Sequence, residues 1–153
     1  MISPELLRRF PLFAGLSPAL LKEIAFAGEE LELKKGDWLF HQNAAADALY
    51  LVISGVLEPT IDLSEGDTHY APLPRLIEGE VAGWSALVEP NLYQFGAMAD
   101  TNSRVIRLDA ARLLDLMGQN PAAGYAIMRK LAQIIGQRLT NLRIQFVSMM
   151  EKA

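Results

Sequence analysis

The chain has 153 residues, 51% of them apolar and 21% charged, which is long enough to bury a core and too apolar for a disordered segment. Net charge is −4, from 14 basic and 18 acidic residues, and there is no cysteine. Disulfides, thiolate metal sites and iron–sulfur clusters are thereby excluded, and a reducing cytoplasm is the expected location. No apolar run approaches the roughly 18 residues of a membrane-spanning helix, and the start MISPELLRRF has neither the basic head nor the apolar centre of a secretory signal. The densest basic cluster is Arg8-Arg9, with Arg129, Lys130 and Arg138 spread along a later helix. A solvated face accounts for it, so the chain by itself is expected to bind neither nucleic acid nor membrane.

Residues 3–28 are predicted helical. Ser3 and Pro4 form a cap and first-turn start, with Leu6, Leu7 and Phe10 on one face. A second start follows at Ser17–Pro18, with Leu20, Leu21 and Ile24 at helical spacing and Gly28 as terminator. From residue 30 to 108 the pattern changes to short strands. Leu31 and Leu33 alternate before a turn at Lys35-Gly36-Asp37. Gly55 marks a tight turn within ALYLVISGVLEPTIDLS, and SEGDTHY (64–70) is a hairpin tip at Glu65-Gly66-Asp67. LYQFGAMAD and SRVIRLD are the last two strands. Short strands at regular spacing, with few helices between them, predict an antiparallel sandwich or barrel.

From residue 109 to 153 the chain reads as helical again. One helix is capped by Asp109 and stopped at Gly118 and Pro121. The last runs for up to about 30 residues, or roughly 45 Å. Within it Met128, Ala132, Ile135, Leu139, Leu142, Phe146 and Met149 follow a heptad seam. Leu131, Ile134, Ile144 and Val147 widen the apolar stripe beyond one face. One side is expected to pack on the β-body. The other, through Ile135, Leu139, Leu142, Phe146 and Met149, is expected to meet a second copy in a homodimer.

The order of a helix pair, about eight short strands, a short helix and a long helix resembles the cyclic nucleotide-binding domain family, the effector domain of Crp/Fnr-type regulators. LLRRFPLFAGLSPALLKEIA is similar to the opening helices of that family, and LKKGDWLFHQNAAADALYLVISGVLEP to its Gly-x-x-Leu/Ile-Phe and Leu-Tyr-x-Val-x-x-Gly-x-Val strands. GEVAGWSAL stands where the family has its phosphate-binding cassette. The resemblance covers essentially the whole chain. It implies a mainly β fold: an antiparallel double-stranded β-helix, or jelly-roll-like β-roll, carrying N-terminal helices and a long C-terminal helix. In the family's transcription factors a helix-turn-helix domain follows that helix, whereas this chain ends at Ala153. A single domain over 1–153 without a DNA-binding domain is expected.

The resemblance also implies two ligand contacts, and both are missing. The cassette Glu that accepts the ribose 2′-OH is replaced, with Trp84 at its position in Ala82-Gly83-Trp84-Ser85. The Arg that pairs with the cyclic phosphate falls at residues 92–95, where Tyr93 or Gln94 stands instead. Losing a hydrogen-bonded charge pair of this kind forfeits about 2–4 kcal/mol, which weakens binding by tens- to a thousandfold. Cyclic AMP is therefore not the expected ligand. The backbone N–H groups of Ser85, Ala86 and Leu87 still open the short helix, with Trp84, Tyr93 and Phe95 as aromatic walls and Ser85, Tyr93 and Gln94 as neutral hydrogen-bonding groups. The candidate ligand site is Gly83, Trp84, Ser85, Ala86, Tyr93, Gln94 and Phe95, suited to an uncharged or weakly acidic apolar molecule. In the alternative, Trp84 fills the vacated pocket and the module is purely structural.

Glu78 and Glu80 read as turn residues. His41 and His69 are too few and too distant for a cupin-type metal site, so no metal and no cofactor is expected, with a one-histidine haem as the outlying alternative. No nucleophile–base set or phosphate loop is present, and no enzymatic activity is expected. The expectation is a non-enzymatic sensor or regulatory module with a small-molecule ligand or a protein partner. A true cyclic-nucleotide sensor would need a cation from elsewhere, such as Arg75 or Arg143 of a partner helix.

Overall fold

A computed structural model describes residues 2–64, 67–69 and 73–152, with residues 63, 64 and 67–69 described by their backbone. The N-terminal segment folds as α1 (Pro4–Arg8), a 3-10 turn (Pro11–Phe13) and α2 (Pro18–Phe26). Both helices start as their sequences dictate. The Ser3 side chain accepts from Glu5 N–H at 3.2 Å and the Ser17 side chain from Leu20 N–H at 3.2 Å, each with proline in the first turn. α2 ends where Gly28 is expected to stop it, with Ala27 as its C-cap, and Gly28 itself opens β1. A Cβ there would lie 2.4 Å from the end of the Ile2 side chain and 2.7 Å from the end of the Leu108 side chain, so a larger residue would require both to shift.

Among the described residues the middle of the chain forms eight strands: β1 (Gly28–Leu33), β2 (Trp38–Phe40), β3 (Ala48–Ser54), β4 (Leu57–Ser64), β5 (Asp67–His69), β6 (Val81–Ala82), β7 (Gly96–Ala99) and β8 (Ser103–Asp109). They make two four-stranded antiparallel sheets, in the orders β1-β8-β3-β6 and β2-β7-β4-β5. This is the antiparallel β-roll that the family resemblance implies, and it agrees with the antiparallel arrangement expected from the strand pattern. The turn at Gly36 carries a positive φ and is closed by Asp37, whose side chain accepts from Lys34 N–H at 2.9 Å. Across the predicted hairpin tip, β4 and β5 pair with Ile61 opposite His69 and Ser64 opposite Asp67, whereas Glu65, Gly66 and Tyr70 lie outside the described residues.

The core lies between the sheets and under the helices. Phe13, Leu21, Ile24, Leu49, Leu51, Leu57, Ile106, Leu108 and Leu113 are fully buried. α3 (Ala110–Gln119) starts on Asp109, whose carboxylate accepts from Arg112 N–H at 2.9 Å. Gly118 sits inside this helix and does not end it; Asn120 does, and Pro121 opens α4. α4 (Pro121–Glu151) is a single helix of 31 residues. Gly124, Ile127 and Leu131 bury its first turns, with Ile134, Arg138 and Asn141 continuing the same face at alternating three- and four-residue steps. Beyond that face Leu139, Leu142, Phe146 and Met149 are 68%, 38%, 63% and 56% exposed. Among the described residues no helix is long and apolar enough to cross a membrane.

Candidate functional site

Gly83 sets the geometry of the cassette turn. Its φ of 76° is left-handed, and a Cβ would lie 3.0 Å from Tyr93, 3.1 Å from the Ala48 carbonyl and 3.4 Å from Tyr50. The chain then makes a four-residue 3-10 turn, Trp84–Leu87, shorter than the helix expected there. Ala86 N–H donates to the Gly83 carbonyl at 3.0 Å, so one of the three amides expected to face a ligand is satisfied within the turn itself. Asn91 closes the loop from the far side. In the left-handed conformation, with φ 57°, its amide donates to the Ser85 carbonyl at 3.1 Å and the Ala86 carbonyl at 3.3 Å.

Six of the seven residues singled out in the sequence do converge. Gly83, Trp84, Ser85, Tyr93, Gln94 and Phe95 surround one void together with Phe40, but it measures only about 10 Å³. A single water needs roughly 10–15 Å³, so no organic ligand fits in this arrangement. Aromatic packing takes up the room. Phe40 stacks on Tyr93 with centroids 3.9 Å apart and planes at 14°, and Tyr50 follows at 5.7 Å from Phe40. The Tyr93 hydroxyl does not face a ligand; it donates to the Ala48 carbonyl at 2.8 Å. Burial raises the Tyr93 pKa, as it does that of Tyr50, where nearby Arg107 opposes the shift. Ala86 is turned into the core, and Gln94 is exposed with its amide donating to the Leu92 carbonyl at 3.1 Å. Phe95, half-buried, is the residue that also faces open space.

That space lies between the β-roll and α4, in two lobes that share Glu80, Arg138 and Asn141. One lobe, about 110 Å³, is walled by Pro59, Leu73, Leu76, Phe95 and Leu142. The other, about 220 Å³, lies against Pro11, Leu12, Val81 and Ile134. Arg138 stands between them, half-buried, with its Nη2 donating to the Val81 carbonyl of β6. Its Nη1 is buried and has no partner among the described residues. Burial pushes its pKa below the ordinary arginine value, and the Glu80 carboxylate offsets part of that. Glu80 is itself engaged, accepting from Ile77 N–H at 3.0 Å. Arg75, the other basic residue of the cleft, is held by Asp100 at 3.0 Å and Glu58 at 3.6 Å.

Sequence reasoning missed Arg138, which read as one more cation of a solvated helix face. The available signal was its place in the 127-131-134-138-141 series, the buried face of α4. His41 is exposed and packs against Trp38, with ring centroids 4.3 Å apart and planes tilted by 30°, and the His69 side chain lies outside the described residues. No three metal-ligating side chains converge among the described residues.

The architecture and its cassette turn match a known family directly: the model of the cyclic nucleotide-binding domain covers residues 30–120. The chain belongs to the cyclic nucleotide-binding domain family. A protein of Geobacter metallireducens, provisionally named cyclic nucleotide-binding, is 33% identical with a TM-score of 0.79, over 91% of this chain and 99% of that one. The sensor domain of the transcriptional regulator DNR from Pseudomonas aeruginosa is 26% identical with a TM-score of 0.73, over 89% of this chain and 90% of that one. An uncharacterized NTE family protein of Mycobacterium tuberculosis is 24% identical over 86% of this chain, which spans only 21% of that relative's length. Within the cyclic nucleotide-binding domain family, this member keeps the β-roll and the turn at Gly83, with Trp84 and Tyr93-Gln94 standing in it.

Proposed function

We propose that this protein is a non-enzymatic regulatory module that senses a ligand other than a cyclic nucleotide and works as a homodimer joined through α4. The observation that carries the reading is the double role of α4. One face lines the cleft through Arg138, Asn141 and Leu142, and Leu142 also belongs to the exposed apolar row Leu139, Leu142, Phe146 and Met149. A molecule entering the cleft must touch the same helical turn that a second copy would cover. Occupancy and assembly are then linked through whatever difference in affinity the two poses of α4 have. Kinship with the sensor domain of a transcriptional regulator supports a sensing role. The closed 10 Å³ void at residues 83–95 supports a ligand held in the cleft beside the cassette turn, with Phe95 as the shared wall.

The same void favours a second reading at the turn, in which aromatic side chains have replaced the ligand and the domain serves only to dimerise. A titration of the purified chain with cAMP and cGMP, read by tryptophan fluorescence and calorimetry, tests the loss of the family's ligand. No saturation up to millimolar concentration is expected. Micromolar binding would restore an ordinary cyclic-nucleotide sensor and defeat the proposal.

A further inference from the structure

We infer that the cleft takes a small organic monoanion with a compact apolar body, whose carboxylate is held by Arg138 from α4. The inference rests on the cleft being the ligand site, as proposed above, and adds the chemical class of the ligand and the residue that grips it.

The first support is the hydrogen-bond inventory of the guanidinium. Nη2 is satisfied by the Val81 carbonyl, and Nη1 is enclosed with nothing to donate to among the described residues. A buried donor on a cation is costly to leave unpaired, and an acceptor bearing negative charge is its strongest partner. The protein does not supply one. Arg138 forms no ion pair within 4.0 Å among the described residues, although Arg75 beside it forms two. Glu80 lies near enough to favour the charged guanidinium, yet its Oε2 is engaged by Ile77 N–H.

The second support is shape. The smaller lobe is walled mostly by carbon, from Pro59, Leu73, Leu76, Phe95 and Leu142, and holds about 110 Å³. A dry cavity of roughly 150 Å³ admits benzene, so this lobe suits one small ring or a short branched chain. Larger ligands call for pockets of roughly 300–1,000 Å³. The third support is charge balance. Glu80 lines the cleft beside Arg138, and Arg75 is already held by Glu58 and Asp100, so a second negative charge on the ligand would find no further free cation among the described residues. That disfavours phosphate monoesters and dicarboxylates and favours an anion of single charge. A carboxylate also matches the planar fork of arginine.

The test compares three probes on the full chain by calorimetry and thermal shift: phenylacetate, its neutral isostere phenylacetamide, and inorganic phosphate. Phenylacetate is expected to bind at millimolar concentration or below and to raise Tm, with phenylacetamide weaker by roughly ten- to a hundredfold, the weight of a charge-assisted hydrogen bond. Arg138→Gln should reduce the acid to the affinity of the amide, and Arg138→Lys should restore part of the difference. Should Arg138→Gln fail to fold, the acid–amide comparison on the natural chain still decides. Equal binding of acid and amide overturns the anion assignment while leaving the cleft as a ligand site. Phosphate binding more tightly than phenylacetate overturns the apolar body. No binding of phenylacetate up to about 10 mM, weaker than almost any specific site, overturns the inference as a whole. None of these outcomes bears on assembly through α4, which is judged by mass in solution.

Discussion

Replacing Leu139 and Leu142 together by glutamate should convert a dimer into a monomer. The two side chains are 68% and 38% exposed on one chain, together about one leucine's worth of apolar surface left uncovered. Burying a leucine is worth about 1.5–3 kcal/mol. A two-fold interface covers the pair on both copies, so losing it removes about 3–6 kcal/mol of association energy. At 1.4 kcal/mol per decade, Kd rises by about two to four orders of magnitude before any repulsion among four introduced carboxylates is counted. Phe146 and Met149, 63% and 56% exposed, would remain to hold part of the contact, which favours the lower half of that range. The assay is sedimentation velocity or light scattering across a concentration series, with the natural chain at twice the 16.9 kDa protomer mass. Circular dichroism should show the helical signal of the variant retained, because neither residue belongs to the fully buried core. A natural chain that runs as a monomer refutes the reasoning outright. A double variant that stays dimeric at every concentration shows that the interface lies elsewhere.

Tyr93→Phe removes the hydroxyl that satisfies the Ala48 carbonyl at 2.8 Å and should cost about 1–3 kcal/mol in denaturant unfolding; an unchanged midpoint would mean water takes over the bond. Both Tyr50 and Tyr93 have pKa values raised above 10.0 by burial, so the folded state prefers the neutral phenol. Their stabilising contribution is complete below about pH 10, the unfolded value, and declines as pH rises through it toward the folded values. Stability measured from pH 8 to 11 should therefore fall at the alkaline end, more shallowly in Tyr93→Phe. Gly83→Ala should destabilise by about 1–3 kcal/mol, since a side chain at a φ of 76° is strained and its Cβ meets Tyr93 and the Ala48 carbonyl. Gly118→Ala, in the last turn of α3 where nothing lies within 4 Å of the new Cβ, should stabilise by up to about 0.5 kcal/mol, and a loss there would contradict the helix placement.

Local chemistry made the fold legible in the chain itself. Ser3, Ser17 and Asp109 cap helices because their side chains reach backbone amides two or three residues on, an interaction that needs no distant partner. Gly36 and Gly55 turn because only glycine adopts their positive φ cheaply, and the alternation in the strands selects which face enters the core. That Trp84 and Tyr93-Gln94 stand at the turn, with no Lys or Arg from Gly79 to Asp100, was likewise plain from residue identity. Whether the turn kept a pocket was not, because that depends on Phe40, a residue more than forty positions upstream, stacking on Tyr93 across the roll. Gly118 misled: it looks like a helix stop in sequence, yet the helix continues through it to Gln119. Arg138 shows the limit best. A cation on an amphipathic helix is ordinarily solvated, and only the packing of α4 against β6 encloses one of its donors and leaves it without a partner among the described residues. Capping, turn and strand preferences act over a few residues and are written in the chain; enclosure arises between segments far apart in it, and only the tertiary structure decides it.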